Sequence, residues 1–165
     1  MTPRSTAPDD ASSPPAADTQ STQQRSVEHQ IQTRHRGARV LIVEDDDFGQ
    51  EIIAEYVRAV GLAVELAGDG VEALHKAQGS QYDLILMDIQ MPRMDGLEAT
   101  RHLRQLPAHS ATPIIAVTAH AYVIAEEMST QAGMNAFLTK PLDPGTLYAT
   151  LLKWLDSRKL IEMQT

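Results

Sequence analysis

The most constraining feature of this sequence is an alternation, beginning at Arg39, between short apolar runs and segments with helical periodicity. The apolar runs are short enough for buried strands, and the segments after them space their apolar residues three or four positions apart, as amphipathic helices do. This alternation is typical of a parallel sheet, because parallel strands need crossover connections that place helices on both faces. The sequence therefore predicts an α/β fold.

Five strand–helix rounds can be read along the chain. Strands are predicted at 40–43, 64–66, 84–87, 114–117 and 136–139. The first helix begins with Phe48 and Ile52 in an apolar stripe and ends at Gly61. Further helices are predicted near 71–79, 97–103 and 121–132, and the last follows an Asp143 N-cap with Pro144 at its first position.

The fold that this pattern favours is the flavodoxin-like (βα)5 doubly wound sheet with strand order 2-1-3-4-5. Residues 38–158 are the predicted domain, and 159–165 a short C-terminal tail. Residues 1–37 contain 19 Pro, Ser, Thr and Gln, and after Met1 their only large aliphatic residues are Val27 and Ile31. Because such a segment buries little apolar surface, we predict a disordered tail or linker, with a short helix over 27–36 as the alternative.

Composition excludes several classes of function. The chain has no cysteine, which rules out disulfides, thiolate catalysis and cysteine-bound metals. Its net charge of −8 falls entirely on residues 38–165, without a basic run, so direct nucleic-acid binding is not expected. We find no apolar stretch long enough for a membrane span and no signal-peptide core, and we expect a cytoplasmic protein. The sequence leaves the oligomeric state open, a monomer included.

Polar residues follow the predicted strands at the edge where ligands bind in open α/β sheets. They are an acidic run after strand one, an aspartate after strand three, a threonine after strand four and a lysine after strand five: Glu44, Asp45, Asp46, Asp88, Thr118 and Lys140. Strands one and three are neighbours in the expected order, so the carboxylates should converge. Their mutual repulsion then requires raised pKa values or a bound cation.

The expected ligands are all hard oxygens, which favours Mg²⁺, with Mn²⁺ as an alternative, over zinc or copper. Magnesium keeps several waters and commonly takes one or two carboxylates together with phosphate oxygens. Lys140 would add a positive charge and Thr118 a hydroxyl donor to a phosphoryl group held there. The pattern therefore predicts phosphorylation of an aspartate.

Four ordered motifs resemble the receiver domain of two-component response regulators. They are VLIVEDD at the first strand, LILMDIQMPRMDG around Asp88, PIIAVTAHA around Thr118 and FLTKP around Lys140. The resemblance covers about residues 38–157. The variant IQMPRMDGLEATR, together with TAHA, resembles receivers that are attached to, or fed by, hybrid histidine kinases in a phosphorelay.

The resemblance implies a role for each matching residue. Asp88 would be the phosphoacceptor and would also hold the metal, together with Glu44, Asp45 and the backbone carbonyl of Gln90. Thr118 and Phe137 would form a switch pair, Lys140 would bind the phosphate, and Pro141 would follow a cis peptide bond. Gln90 and His120 are candidate modulators of the phosphate lifetime, although for His120, two residues past Thr118, the sequence leaves open whether it overhangs the site or faces solvent. The implied partners are a histidine kinase, a histidine phosphotransfer protein, or both.

Simpler explanations apply to other polar residues. Asp46 and Asp47 precede a helix, where an acid is usually an N-cap, and Asp95 with Gly96 is typical of a turn. Five histidines (His29, His35, His75, His102 and His109) are expected to face solvent.

Other functions fit the residues less well. A flavin or nucleotide module would carry a Gly/Ser/Thr-rich phosphate loop after strand one, where this chain has acids. A haloacid-dehalogenase-type phosphatase would show D-x-D-x-T, but Ile89 and Gln90 follow Asp88. With no kinase core in the sequence, we expect a phosphoacceptor and not an enzyme. A non-phosphorylated scaffold and a receiver segment of a larger hybrid kinase remain alternatives; Met1 and the short segment after Leu155 favour a stand-alone protein.

Overall fold

A computed structural model of the chain describes residues 3–4, 16–119 and 123–164. In this part of the chain, six α-helices and five strands follow one another, with one short 3₁₀ turn at Pro107–His109. The helices are α1 (Ala16–Arg34), α2 (Asp47–Ala59), α3 (Gly70–Gly79), α4 (Gly96–Gln105), α5 (Val123–Ala132) and α6 (Pro144–Gln164). The strands are β1 (Arg39–Val43), β2 (Ala63–Ala67), β3 (Leu84–Asp88), β4 (Ile114–Thr118) and β5 (Ala136–Thr139).

The five strands form one parallel sheet in the order β2-β1-β3-β4-β5, which confirms the predicted flavodoxin-like topology. The register pairs Val43 of β1 with Ala67 on one side and with Met87 on the other. The carboxyl ends of β1 and β3 therefore lie side by side. This alignment brings the residues that follow β1 next to Asp88, the last residue of β3.

Two apolar clusters cover the faces of the sheet. Val40 and Ile42 of β1 pack with α2 and α6, and Leu41 and Val43 pack on the opposite face with α3 and α4. Every residue of β3 and β4 is buried. Burial on both faces explains why these strands are continuous apolar runs without polar alternation.

The structure differs from the prediction of a disordered segment over 1–37, because residues 16–34 form the helix α1. Ile31 is fully buried among residues of α2 and α6, and Val27 packs against the same cluster. At the end of α1, Arg34 and His35 contact Asp156 of α6 at 2.9 Å and 2.6 Å. The composition of this segment is too polar for an isolated helix to be stable, so tertiary packing decides its structure.

The last helix also extends further than expected. The prediction placed a tail at 159–165, but α6 continues to Gln164 and holds an Arg158–Glu162 ion pair one turn apart at 3.0 Å. Asp143 caps its start as predicted, accepting a hydrogen bond from the Thr146 amide at 2.8 Å. None of the helices in the described ranges combines the length and apolar character that crossing a membrane requires.

Two of the histidines that were expected to face solvent are buried. His35 is held against Asp156, and His109 is 0% exposed. The His109 Nε2 lies 3.0 Å from the carbonyl oxygens of Ala77 and Ser80, and its Nδ1 lies 3.1 Å from the Thr112 hydroxyl. A ring satisfied in this way can be buried without cost, and periodicity alone does not reveal such partners.

Candidate functional site

Three carboxylates converge at the carboxyl edge of the sheet. Glu44 and Asp45 follow β1 directly, and Asp88 ends β3. One oxygen from each of the three lies within 4.8 Å of the others. Glu44 and Asp88 are only 2% and 6% exposed, whereas Asp45 is open to solvent. Water therefore reaches this cluster from the side of Asp45.

Lys140 supplies the positive charge of the cluster. Its Nζ contacts the Glu44 carboxylate and lies 3.3 Å from Asp88 Oδ2. Burial acts to lower the pKa of Lys140, but the hydrogen bond that Lys140 donates to Glu44 and the charges of Asp88 and Glu44 outweigh it, so the pKa lies above its ordinary value. The Lys140 amide donates to the Thr118 carbonyl at 2.8 Å, and the Lys140–Pro141 peptide bond is cis.

Thr118 and Phe137 share one face of two neighbouring strands. Thr118 ends β4 and is 2% exposed, and Phe137 on β5 is paired with Ala116, two residues before Thr118. The Phe137 ring is partly buried against the cluster that includes Ala116 and Met87. The two side chains are thus diagonal neighbours across the β4–β5 pair.

The segment after β3 turns back sharply on Asp88. The Gln90 amide donates to Asp88 Oδ1 at 3.1 Å, and the Gly96 amide donates to the Ile89 carbonyl at 2.8 Å. A Cβ on Gly96 would lie 2.1 Å from the Asp88 carbonyl oxygen, so only glycine permits this approach. Beside Asp45, a cleft of about 460 Å³ is lined by Ile89, Gln90, Met91, Pro92 and Asp95.

The acids that were expected to be caps are placed as follows. Asp46 caps α2 and accepts from the Gly49 amide at 2.7 Å, and Asp95 caps α4 and accepts from the Glu98 amide at 2.8 Å. Asp47 is the first residue of α2. Its neighbour Phe48 is 76% exposed and Ile52 is 36% exposed, so the apolar stripe predicted for this helix faces solvent over its first turns.

Sequence reasoning missed two groups that frame the site. The Gln50 side-chain amide donates to the carbonyl oxygens of Glu44 and Ala67 at 3.2 Å and 3.1 Å and so ties β1 to β2. Asp69, which is buried, pairs with the guanidinium of Arg93. A polar side chain one turn into the helix after the acids was the available signal for Gln50; nothing in the sequence links Asp69 to Arg93. His120 lies outside the described residues.

The donor set fits a divalent cation of the magnesium type. Three carboxylates face a single ammonium group, so the cluster carries an excess of negative charge, and two of the acids are too buried for water to screen it. All the available donors are oxygens, and the open side at Asp45 leaves room for waters or phosphate oxygens. Glu44, Asp45 and Asp88 could therefore hold a metal.

Comparison with known proteins is consistent with this arrangement. Residues 40–152 match the response regulator receiver domain family. The signal transduction histidine-protein kinase BarA of Escherichia coli K12 is 40% identical over 115 residues, which are 70% of this chain and 12% of that protein. The transcription factor SKN7 of Saccharomyces cerevisiae is 36% identical over 128 residues, covering 76% of this chain and 20% of that protein. The chain thus spans a fifth or less of the length of these relatives.

Solved structures share the fold. The receiver domain of a sensor histidine kinase from Pseudomonas aeruginosa, with a magnesium ion coordinated in its active-site cleft, is 39% identical with a TM-score of 0.69, covering 73% of this chain and 98% of that one. The chemotaxis protein CheY4 of Vibrio cholerae is 33% identical with a TM-score of 0.69, covering 71% of this chain and 98% of that one. This fold is that of a signalling domain and not of a catalytic kinase core. The chain therefore belongs to the response regulator receiver domain family.

Proposed function

We propose that Asp88 accepts a phosphoryl group from a phosphohistidine of a partner protein in a magnesium-dependent step. The observation that carries this proposal is the position of the Asp88 carboxylate, which lies within 4.8 Å of ligand oxygens of Glu44 and Asp45 and 3.3 Å from the Lys140 ammonium. The Asp88 side chain is 8% exposed, so a donor must approach along the edge of the sheet.

The transfer exchanges one bond for another. An Asp88 carboxylate oxygen forms a bond to phosphorus while the bond from phosphorus to the imidazole nitrogen breaks, and the electron pair of that bond stays on the ring. Glu44, Asp45, Asp88 and the Gln90 carbonyl are the groups that would hold Mg²⁺, which would neutralise the oxygen charge. The Lys140 ammonium and the Thr118 hydroxyl would bind the phosphoryl oxygens once the group is on Asp88.

The phosphodonor is expected to be a histidine kinase or a histidine phosphotransfer protein in the cytoplasm. Similarity to the receiver segments of BarA and of the sensor protein GacS of Pseudomonas syringae, which is 37% identical over 122 residues, supports this class of partner. Phe48 and Ile52 are exposed on the first turns of α2, two and six residues after the Asp46 cap. We propose that they contact the donor, because exposed apolar side chains beside a buried acceptor are typical of an interface.

The phosphorylated state is proposed to change the face formed by α5, β5 and α6. A phosphoryl group on Asp88 would draw the Thr118 hydroxyl toward it, and the Phe137 ring would occupy the space left behind. The diagonal placement of these two residues on β4 and β5 supports the coupling. This switch can be followed by NMR, since beryllofluoride should shift the amides of Thr118 and Phe137; unchanged amides would contradict it.

The decisive experiment is phosphorylation of the protein in solution. After incubation with acetyl phosphate and Mg²⁺, mass spectrometry should find one phosphate on the wild type and none on Asp88→Asn. Asp95→Asn is the matched control, because it makes the same change seven residues further along and keeps the α4 N-cap. A phosphate that persists on Asp88→Asn, or that never forms on the wild type, would overturn the assignment and favour a non-phosphorylated scaffold.

A further inference from the structure

The segment 89–95, which we call the acceptor loop, joins β3 to α4 and carries the Gln90 carbonyl. Both of its ends are fixed. Gln90 is bound to Asp88 Oδ1 at 3.1 Å at one end, and the Gly96 amide is bound to the Ile89 carbonyl at 2.8 Å at the other. Among the described residues, the one backbone hydrogen bond within its middle runs from the Met94 amide to the Pro92 carbonyl at 2.8 Å. The conformation of the middle of the loop therefore needs a further cause.

Arg93 stands at the middle of the acceptor loop in an unusual conformation. Its φ of 67° makes it the one residue other than glycine with a positive φ in the described ranges. This region is disfavoured for a residue with a Cβ, and the bond from the Met94 amide to the Pro92 carbonyl closes a three-residue turn around Arg93. Its guanidinium group pairs with the carboxylate of Asp69, the N-cap of α3 after β2.

Asp69 is a rigid anchor for this contact. Its side chain is 5% exposed, against 74% for Arg93. Asp69 Oδ1 caps α3 by accepting from the Glu72 amide at 2.8 Å, and Glu72 reaches back to the Gly68 amide at 2.7 Å. In the described part of the chain, Arg93 forms the one ion pair of Asp69. Because one oxygen of the buried Asp69 carboxylate is fixed by the α3 cap, the guanidinium that pairs with its other oxygen is held in place as well.

The start of α3, directly after Asp69, also touches the backbone of the acceptor loop. A Cβ on Gly70 would lie 3.0 Å from the Met94 carbonyl oxygen, so the start of α3 is packed directly against the acceptor loop. On its other side, the end of β2 is tied to the site, because the Ala67 carbonyl accepts from the Glu44 amide at 3.1 Å. The Asp69–Arg93 pair therefore closes a ring of contacts that runs from the metal-binding acids through β2 and back to the acceptor loop.

We propose that Asp69 and Arg93 are positioning residues that hold the acceptor loop in the conformation that places the Gln90 carbonyl for the metal; this inference rests on the proposed function. If the pair is lost, the loop samples other conformations. The apparent affinity for Mg²⁺ then falls in proportion to the fraction of protein that keeps the binding-competent conformation. We expect a roughly tenfold higher Mg²⁺ requirement, in line with the loss of groups that orient metal ligands. Phosphorylation at saturating Mg²⁺ should remain near the wild-type rate.

The test uses two variants that remove the pair from opposite sides. Asp69→Asn keeps the α3 cap, because asparagine caps as well as aspartate, and Arg93→Gln changes an exposed side chain without emptying a buried space. Arg93→Lys should restore most of the affinity by restoring the charge. Arg101→Gln is the matched control, since it removes one positive charge from an exposed position on α4.

Two measurements decide the outcome. Calorimetric titration with Mg²⁺ should give a weaker affinity for both variants, a wild-type affinity for Arg101→Gln and an affinity close to that of the wild type for Arg93→Lys. Without metal, hydrogen exchange at the Met94 and Gly96 amides should accelerate in the same two variants. If the wild type binds Mg²⁺ but both variants keep its affinity and exchange rates, the positioning role would be overturned and the proposed function would stand. A wild type that binds no Mg²⁺ would overturn the proposed function and the metal part of this inference, and the exchange rates would then decide whether the pair holds the loop.

Discussion

The two edges of the sheet handle buried charge in opposite ways. At the carboxyl edge, Lys140 pairs with two of the three clustered carboxylates, and negative charge is left in excess among these residues. At the amino edge, the partly buried Arg104 guanidinium donates to the carbonyl oxygens of His109, Thr112 and Gly133 and to the Asn135 side chain, all at 2.7–3.0 Å. Burial lowers the pKa of Arg104, yet neutral acceptors satisfy the group fully. The Arg104 guanidinium, which stabilises the fold, finds all its hydrogen-bond partners within the protein. The carboxylate cluster, in contrast, has an excess charge that a bound cation would balance.

The largest expected effect is at the amino edge. Arg104→Met would leave several buried carbonyl oxygens without donors between α4, β4 and β5, and the free energy of unfolding should fall by about 3 kcal/mol. Urea denaturation measures this loss, with Arg101→Met as the control that should change it by less than about 0.5 kcal/mol. The loss should be the same with and without Mg²⁺. A small effect for Arg104→Met would remove the contrast between the two edges.

Mg²⁺ should stabilise the wild type through the carboxyl edge. A cation that binds only the folded state at a hundred times its dissociation constant adds about 2.7 kcal/mol to the free energy of unfolding. Asp45→Asn should lose most of this gain, because Asp45 is the exposed member of the acid cluster and faces the open side. Thermal unfolding with chelator and with Mg²⁺ measures the gain. Melting curves that coincide in the two conditions would contradict the metal site.

Lys140→Met should show most clearly that the two edges differ in how their stability responds to Mg²⁺. Removing the ammonium leaves Glu44 and Asp88 without their shared cation, and since Lys140 is 28% exposed we expect a loss of about 2 kcal/mol in metal-free protein. Mg²⁺ should restore part of that loss in Lys140→Met but none of it in Arg104→Met. Unfolding of both variants at several Mg²⁺ concentrations provides the comparison. Equal responses to the ion would show that the carboxyl edge has no special need for a cation.

The smallest effect concerns Tyr82, just before β3 at the amino edge. Its buried hydroxyl forms no hydrogen bond of good geometry with the described residues, and burial together with the nearby Glu65 carboxylate raises the pKa of Tyr82 to about 12. Because the unfolded chain ionises nearer 10, wild-type stability should fall as the pH rises from about 10 to about 12. Tyr82→Phe should be as stable as the wild type at pH 7, or up to about 1 kcal/mol more stable, and should lose less at alkaline pH. Urea denaturation at both pH values tests this; an equal alkaline loss would exclude Tyr82 as its source.

The sheet and the acid cluster could be predicted because they depend on local patterns. Short apolar runs predict strands, and polar residues at their ends converge once the strand order is known, which brought Glu44, Asp45, Asp88, Thr118 and Lys140 to one edge. The errors arose where distant partners decide the structure. Ile31 stabilises α1 only because α2 and α6 surround it, and His109 is buried only because carbonyls from α3 and its end meet the ring.

The sequence also did not reveal which side chains of a helix are covered by its neighbours. Phe48 and Ile52 fit an apolar stripe, yet both side chains are exposed on the first turns of α2. Helical periodicity identifies a common face but not whether something packs on it. The Asp69–Arg93 pair is of the same kind, because it joins two loops that are 24 residues apart in sequence and adjacent only in the fold.

The helix α1, which precedes β1, sets the direction from which the chain enters the domain. Gln24 lies near Gly145 at the start of α6, and His35 contacts Asp156 eleven residues further along α6, so the two helices run parallel. Both run from the carboxyl edge to the amino edge, and at 1.5 Å per residue the 19 residues of α1 span about 28 Å. Without α1, anything attached before β1 would leave on the side away from Asp88. With it, anything attached before α1 would lie on the same side as Asp88, where tethering would raise its local concentration around the proposed phosphoacceptor.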